Sequence, residues 1–182
     1  MTLTLAAARH LWQSLPLPVG DGLTGDELRR VEREFGFRFN PDHRALLTAG
    51  MPIGGRWPDW RGGDREALRS WLDEPLEGVL FDVEESGFWW HGWGERPRDA
   101  TQALAQARVG LKGVPPLVPI YGHRFCLALP LFGLPVLSIV QTDVAIYGQD
   151  IVDYLLREFG GYPEEPTQVS PVLEVPFWSE LM

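Results

Sequence analysis

Cysteine occurs once, at Cys126, and lysine once, at Lys112, in a chain of 182 residues. A lone cysteine cannot close an internal disulfide, so nothing here calls for an oxidising compartment. Every apolar run falls far short of the ~20 residues a membrane-spanning helix needs. The opening MTLTLAAARH lacks the basic and apolar regions of a signal peptide. The expectation is a cytoplasmic protein with no membrane partner. Basic charge is also scarce: 16 Lys and Arg stand against 25 Asp and Glu, a formal charge of −9. Such a field repels phosphate, which argues against nucleic acid and favours a cationic partner. The arginine-for-lysine bias reads as the coding habit of a GC-rich genome.

Signatures of chemistry are missing too. There is no nucleophile elbow and no zinc-type spacing, and the glycines of GFWWHGWG do not join a strand to a helix as phosphate-cradling and dinucleotide loops do. His10, His43, His91 and His123 have no partner at i+2 to i+4, so a metal site would need assembly by tertiary folding alone. Cys126, within the apolar RFCLALP, reads as a buried, inert thiol. The sequence therefore predicts no enzyme: no catalytic residues, no metal and no cofactor.

What is present is apolar bulk, 45% hydrophobic and 12% aromatic, enough for one core. A single domain over 1–182 is expected, its core at about 23–160, with an extension at 161–182 that packs back after a linker-like YPEEP. The first fifteen residues suit a short helix closed by PLPVGDG. In LTGDELRRVEREFG, Thr24 and Glu27 have the spacing of a capping box, and Leu23 and Leu28 that of a hydrophobic staple. Leu28, Val31 and Phe35 form the apolar stripe. A second helix starts at Asn40 with Pro41 in its first turn and buries Ala45, Leu46 and Leu47, which pairs the two as a helical hairpin. DREALRSWLDEPL is helical in composition, and from GVLFDV onward the character becomes that of strand. RDATQALAQARVGL reads as another helix, PLVPIYGHRFCLALP and PVLSIVQTDVAIYG as successive antiparallel strands, and QDIVDYLLREFGG as a strongly amphipathic helix. The class is α+β, a mixed or largely antiparallel sheet flanked by helices.

Two sets of residues carry functional readings. Trp89, Trp90 and Trp93 fall within five residues, too much apolar area to leave wholly exposed on a soluble monomer. On an extended segment neighbours face opposite ways, so Trp89 and Trp93 are assigned to the core and Trp90 to an exposed anchor. Asp82, Glu84, Glu85 and Glu95 surround them, either as a solvated acidic face or as part of a partner site with Trp90 and Tyr147. A carbohydrate hydrolase using stacked tryptophans and two of these carboxylates is the rival from another class. The second set is His123, Arg124, Gln141 and Asp143, at the edges of apolar strands. Arg124 and Asp143 would pair as a brace if their strands are neighbours. Alternatively the four groups form, with Tyr147, a polar pocket for a partner's loop.

The segments LTGDELRRVEREFGFRFNPDHRALLTAG, WPDWR, GVLFDVEESGFWWHGWGERP, PLVPIYGHRF and PVLSIVQTDVAIYGQDIVDYLLREFG together resemble a bacterial branch of the SUKH superfamily, from about Leu23 to Phe159. That superfamily includes fungal regulators of cell-wall synthesis and many bacterial immunity proteins that neutralise polymorphic toxins. The resemblance implies an α+β fold, no catalytic residues and action through protein binding. The partner it implies is a toxin, and the acidic charge suits a basic toxin domain such as a nuclease. A housekeeping adaptor of the same fold is the alternative.

Overall fold

The computed structural model describes residues 2–161 and 175–182. Thr4 accepts a hydrogen bond from the Ala7 N–H and starts α1, Leu5–Ser14. A short strand, β1 (Val19–Gly20), leads to α2, Gly25–Phe35, whose Thr24 and Glu27 form the expected reciprocal cap: Glu27 N–H donates to Thr24 Oγ1, and Thr24 N–H to Glu27 Oε2. Asn40 caps α3, Pro41–Ala49, by accepting from His43 N–H at 2.8 Å. β2 (Met51–Pro52) then returns antiparallel to β1. After a loop come α4 (Arg65–Glu85), a 3₁₀ turn at His91–Trp93 and α5 (Ala100–Leu111). Four strands follow, β3 (Leu117–Tyr121), β4 (Arg124–Leu127), β5 (Val136–Val140) and β6 (Asp143–Gly148), antiparallel throughout and in spatial order β3-β4-β5-β6. Asp150 caps α6, Ile151–Phe159.

The sheet has helices on both faces, which explains why β3, β4 and β5 are buried almost without alternation, while the edge strand β6 alternates. Successive side chains point to opposite sides. Thus Phe125, Leu127, Leu137 and Ile139 pack with Val79, Leu80 and Val83 of α4 and Ala107 and Leu111 of α5. Cys126 and Val136 pack on the other side with Leu11 and Trp12 of α1, Leu46 of α3 and Tyr154 and Leu155 of α6. A third cluster joins Leu28, Val31 and Phe35 of α2 to Trp60, Leu68 and Val118. The expected α2–α3 hairpin is not the main helix contact: α3 packs chiefly on α1, whose Trp12 Nε1 donates to Leu46 O at 3.0 Å, and is tied to α2 by Arg44 Nη1 reaching Glu32 Oε1 at 2.7 Å.

The sequence expectation fails at one element. GVLFDV is not the onset of strand, because α4 runs unbroken from Arg65 to Glu85 and carries Pro75 inside it. Leu76, Val79, Leu80 and Val83 recur at i, i+3, i+4 and i+7, and burial of that stripe against the sheet outweighs the weak β preference of Val79, Phe81 and Val83.

Val175, Phe177 and Trp178 are buried with the α4–α5 side of the sheet, and Trp178 Nε1 donates to Pro115 O at 2.9 Å. The linker read at 162–166, and the rest of the extension as far as residue 174, lie outside the described residues.

Candidate functional site

Reading α4 as one helix reveals what a strand at GVLFDV would hide. Its stripe of Leu68, Val79, Leu80 and Val83 is buried, and on the solvent side stand Asp73, Glu74, Glu77, Phe81, Glu84 and Glu85. Phe81, 50% exposed, is the apolar residue in this acidic row. An open groove of about 900 Å³ runs beside it, lined by Trp71, Asp73, Glu74, Glu77, Gly78 and Phe81 of α4, with Arg56 and Gln141 from loops.

Two turns of the sheet are fixed against α4 and bound this groove. Trp71 Nε1 donates to Gly122 O in the β3–β4 turn at 2.9 Å. At the β5–β6 turn the contact is backbone to backbone: a Cβ added to Gly78 would come 2.9 Å from Gln141 Cα, and Gln141 has φ +57. One turn of helix further on, the buried carboxylate of Asp82 accepts from Thr142 N–H (3.0 Å), Thr142 Oγ1 (2.6 Å) and Ser86 Oγ (3.1 Å). The acidic rim therefore sits on a rigid base. Arg108 Nη1 lies 3.1 Å from Glu77 Oε1, an exposed pair of little energetic weight.

The tryptophan loop is a different kind of structure. Only Trp93, 8% exposed, belongs to the core; Trp89 and Trp90 are both half-buried. The expected division between a core Trp89 and an exposed Trp90 fails because the chain, extended at Trp90, does not stay so. It bends into the 3₁₀ turn and gathers all three rings, with Trp93 5.2 Å from Trp89 and 6.0 Å from Trp90. Trp89 and Trp90 use their polar edges internally, whereas Trp93 Nε1 is buried with no acceptor among the described residues. Trp89 Nε1 donates to Gly94 O at 2.7 Å, and Trp90 Nε1 to Glu180 Oε2 at 2.8 Å. Trp90 and Trp93 also pack on Phe177, at 5.4 and 5.9 Å, so the loop holds the end of the chain in place. Glu95 is exposed beyond the loop, and Glu84 and Glu85 are exposed at the C-terminal end of α4.

The polar strand residues do not form one group. Arg124 does not pair with Asp143: β5 lies between their strands, and the register places Arg124 opposite Ser138 and Asp143 opposite Val140. Arg124 Nη1 donates instead to Ser138 Oγ at 3.0 Å, and its guanidinium lies 3.6 Å from the centre of the Tyr147 ring. His123, Arg124 and Tyr147 thus gather near α6, while Gln141 and Asp143 sit at the β5–β6 turn, where Gln141 alone of the four lines the acidic groove. The brace across this region is Asp82–Thr142.

Burial pushes the Cys126 thiol up to about 12, far from a reactive thiolate. Among the described residues no three His, Cys, Asp or Glu side chains converge to hold a metal, and no helix is long and apolar enough to cross a membrane. Sequence reasoning missed Phe81, Asp73, Glu74 and Glu77. The available signal was helical spacing across WLDEPLEGVLFDVEE, which puts 74, 77, 81, 84 and 85 on one side. Comparison with protein-family models, with curated proteins and with solved structures returns no match.

Proposed function

We propose that this chain is a non-enzymatic protein-binding domain of the SUKH type that acts as an immunity protein, occupying a cationic surface of a cognate bacterial toxin through the groove on α4. The observation that carries this reading is the placement of Asp73, Glu74 and Glu77 around the protruding Phe81, on a helix fixed to two turns of the sheet. An aromatic anchor within a charged rim is the usual layout of an interface hot spot. A carboxylate rim in a chain of net charge −9 selects a basic partner and speeds encounter with it. A nuclease groove, which must attract phosphate, presents such a surface. The tryptophan loop supports no sugar-stacking role, since its rings pack on one another and on Phe177.

Co-expression tests the reading. A polymorphic-toxin gene should adjoin this one, its C-terminal domain should arrest growth, and this chain should restore it; the lack of such a gene would contradict immunity. Glu74→Lys with Glu77→Lys should abolish the rescue while the purified variant melts as the parent does. Rescue by the charge-reversed chain would contradict the groove, and failure of the parent to rescue would contradict immunity.

A further inference from the structure

Where the β3–β4 turn meets α6, two buried donors have no acceptor: Arg124 Nε and the Tyr154 hydroxyl. Tyr154 is wholly buried, and its ring lies 6.0 Å from that of Tyr147, which in turn lies over the Arg124 guanidinium. Arg124 makes no ion pair among the described residues. Arg56 adds a second cation, packed so closely over the turn that a Cβ on Gly122 would come 3.1 Å from its Cζ. Burial first, then the charges of Arg124 and Arg56, hold His123 below its ordinary value. Glu158 of α6 is the acidic group felt at both His123 and Tyr154, yet it forms no ion pair with either arginine. In a strongly acidic protein, this corner is locally cationic and short of acceptors.

Buried polar groups almost always find a partner. A water molecule could accept from Arg124 Nε or from Tyr154, but it would leave the guanidinium charge without a counter-charge. An oxyanion meets both needs. With Nη1 committed to Ser138, the edge of Arg124 that carries Nε remains, and this edge takes a carboxylate in two parallel hydrogen bonds. The nearby Glu158 disfavours a dianion such as phosphate. We propose that this corner is a receptor for a single carboxylate, bound by the Nε edge of Arg124 with the Tyr154 hydroxyl as a further donor, and entered when the Tyr147 ring swings off the guanidinium. The corner adjoins the acidic groove and shares Arg56 with it, but the two take opposite charges: the groove a cationic surface, this corner one negative group.

The Arg124 Nε–H resonance, assigned by its loss in Arg124→Lys, reports on the site directly. Titration of the full chain with sodium acetate should shift it saturably, whereas sodium chloride at equal ionic strength should not. Tyr154→Phe, which keeps the ring, should weaken acetate binding about tenfold. N-acetylglutamate amide binding more tightly than acetate would assign the natural group to a protein partner's side chain; equal affinities would assign it to a free acid. A resonance that moves alike in both salts, or acetate binding untouched by Tyr154→Phe, overturns the proposal.

Discussion

Glu27 accepts from Arg61 Nε at 2.7 Å and from Thr24 N–H at 2.8 Å, tying the start of α2 to the loop before α4. The Arg61 hydrogen bond is foremost among the contacts that lower its carboxyl to about 2 from an ordinary 4.5. A folded value below the unfolded one means that Glu27 stabilises the fold above about pH 4.5 and ceases to do so as pH falls toward 2. His43 is 2% exposed, and burial lowers its imidazole from 6.5 to about 3. The neutral ring is the one the fold accepts, so its contribution is complete above pH 6.5 and fades as the unfolded chain takes up a proton below that. Calorimetry across pH should show two successive losses. The melting temperature begins to fall below about 6.5 and falls further below about 4.5. His43→Phe, which can keep the edge contact with Phe39, should remove the first loss, and Glu27→Gln the second. A profile unaltered by His43→Phe would mean that another group titrates there.

At the scale of elements, close backbone approach and the buried carboxylate of Asp82 set the packing of α4 and α5. A Cβ at Gly110 would come 2.2 Å from Trp93 Nε1, so a helix-weakening glycine stands where an indole lies against α5. Gly110→Ala should cost about 1–3 kcal/mol through overpacking, with a change in tryptophan emission. Asp82→Ala should cost about 1 kcal/mol or more for the half-buried donors it leaves at Thr142. In double-mutant cycles on folding, Asp82→Ala and Thr142→Val should couple. Arg124→Ala and Asp143→Ala should add within about 0.5 kcal/mol, as expected for residues with no shared partner. Thr24–Glu27, Asn40–Pro41 and Asp150 were legible as helix starts, because capping is local chemistry. The second half of α4 was not, since Val79, Phe81 and Val83 suit a strand by propensity and only burial against the sheet makes them helical. The Arg124–Asp143 pairing also failed for a non-local reason. Sequence shows two polar residues at strand edges, but only the strand order shows that β5 separates them. Gly78 meeting Gln141 was likewise out of reach of any local signal, and with it the base of the groove.

The whole molecule sets its acidic groove beside its cationic corner, with Arg56 at both, and turns the tryptophan loop inward to secure residues 175–182. Net charge was legible from composition, and so was a cationic partner as an expectation; the surface that bears the charge was not. Encounter with a basic partner should be steered by the rim of Asp73, Glu74 and Glu77, so the association rate should drop between low and physiological salt, where screening acts beyond ~8 Å. A salt-independent rate would remove the electrostatic part of the reading. The choice between groove and tryptophan loop rests on two exposed-edge aromatics, Phe81 and Trp90. The decisive measurement is the dissociation constant of the toxin-domain complex for Phe81→Ala and Trp90→Ala, taken side by side by calorimetry. Phe81→Ala should weaken binding by about 2 kcal/mol or more, roughly thirtyfold, as loss of a central anchor does, while Trp90→Ala leaves affinity near that of the parent. Affinity lost with Trp90→Ala and kept with Phe81→Ala would contradict the groove and return the interface to the tryptophan loop.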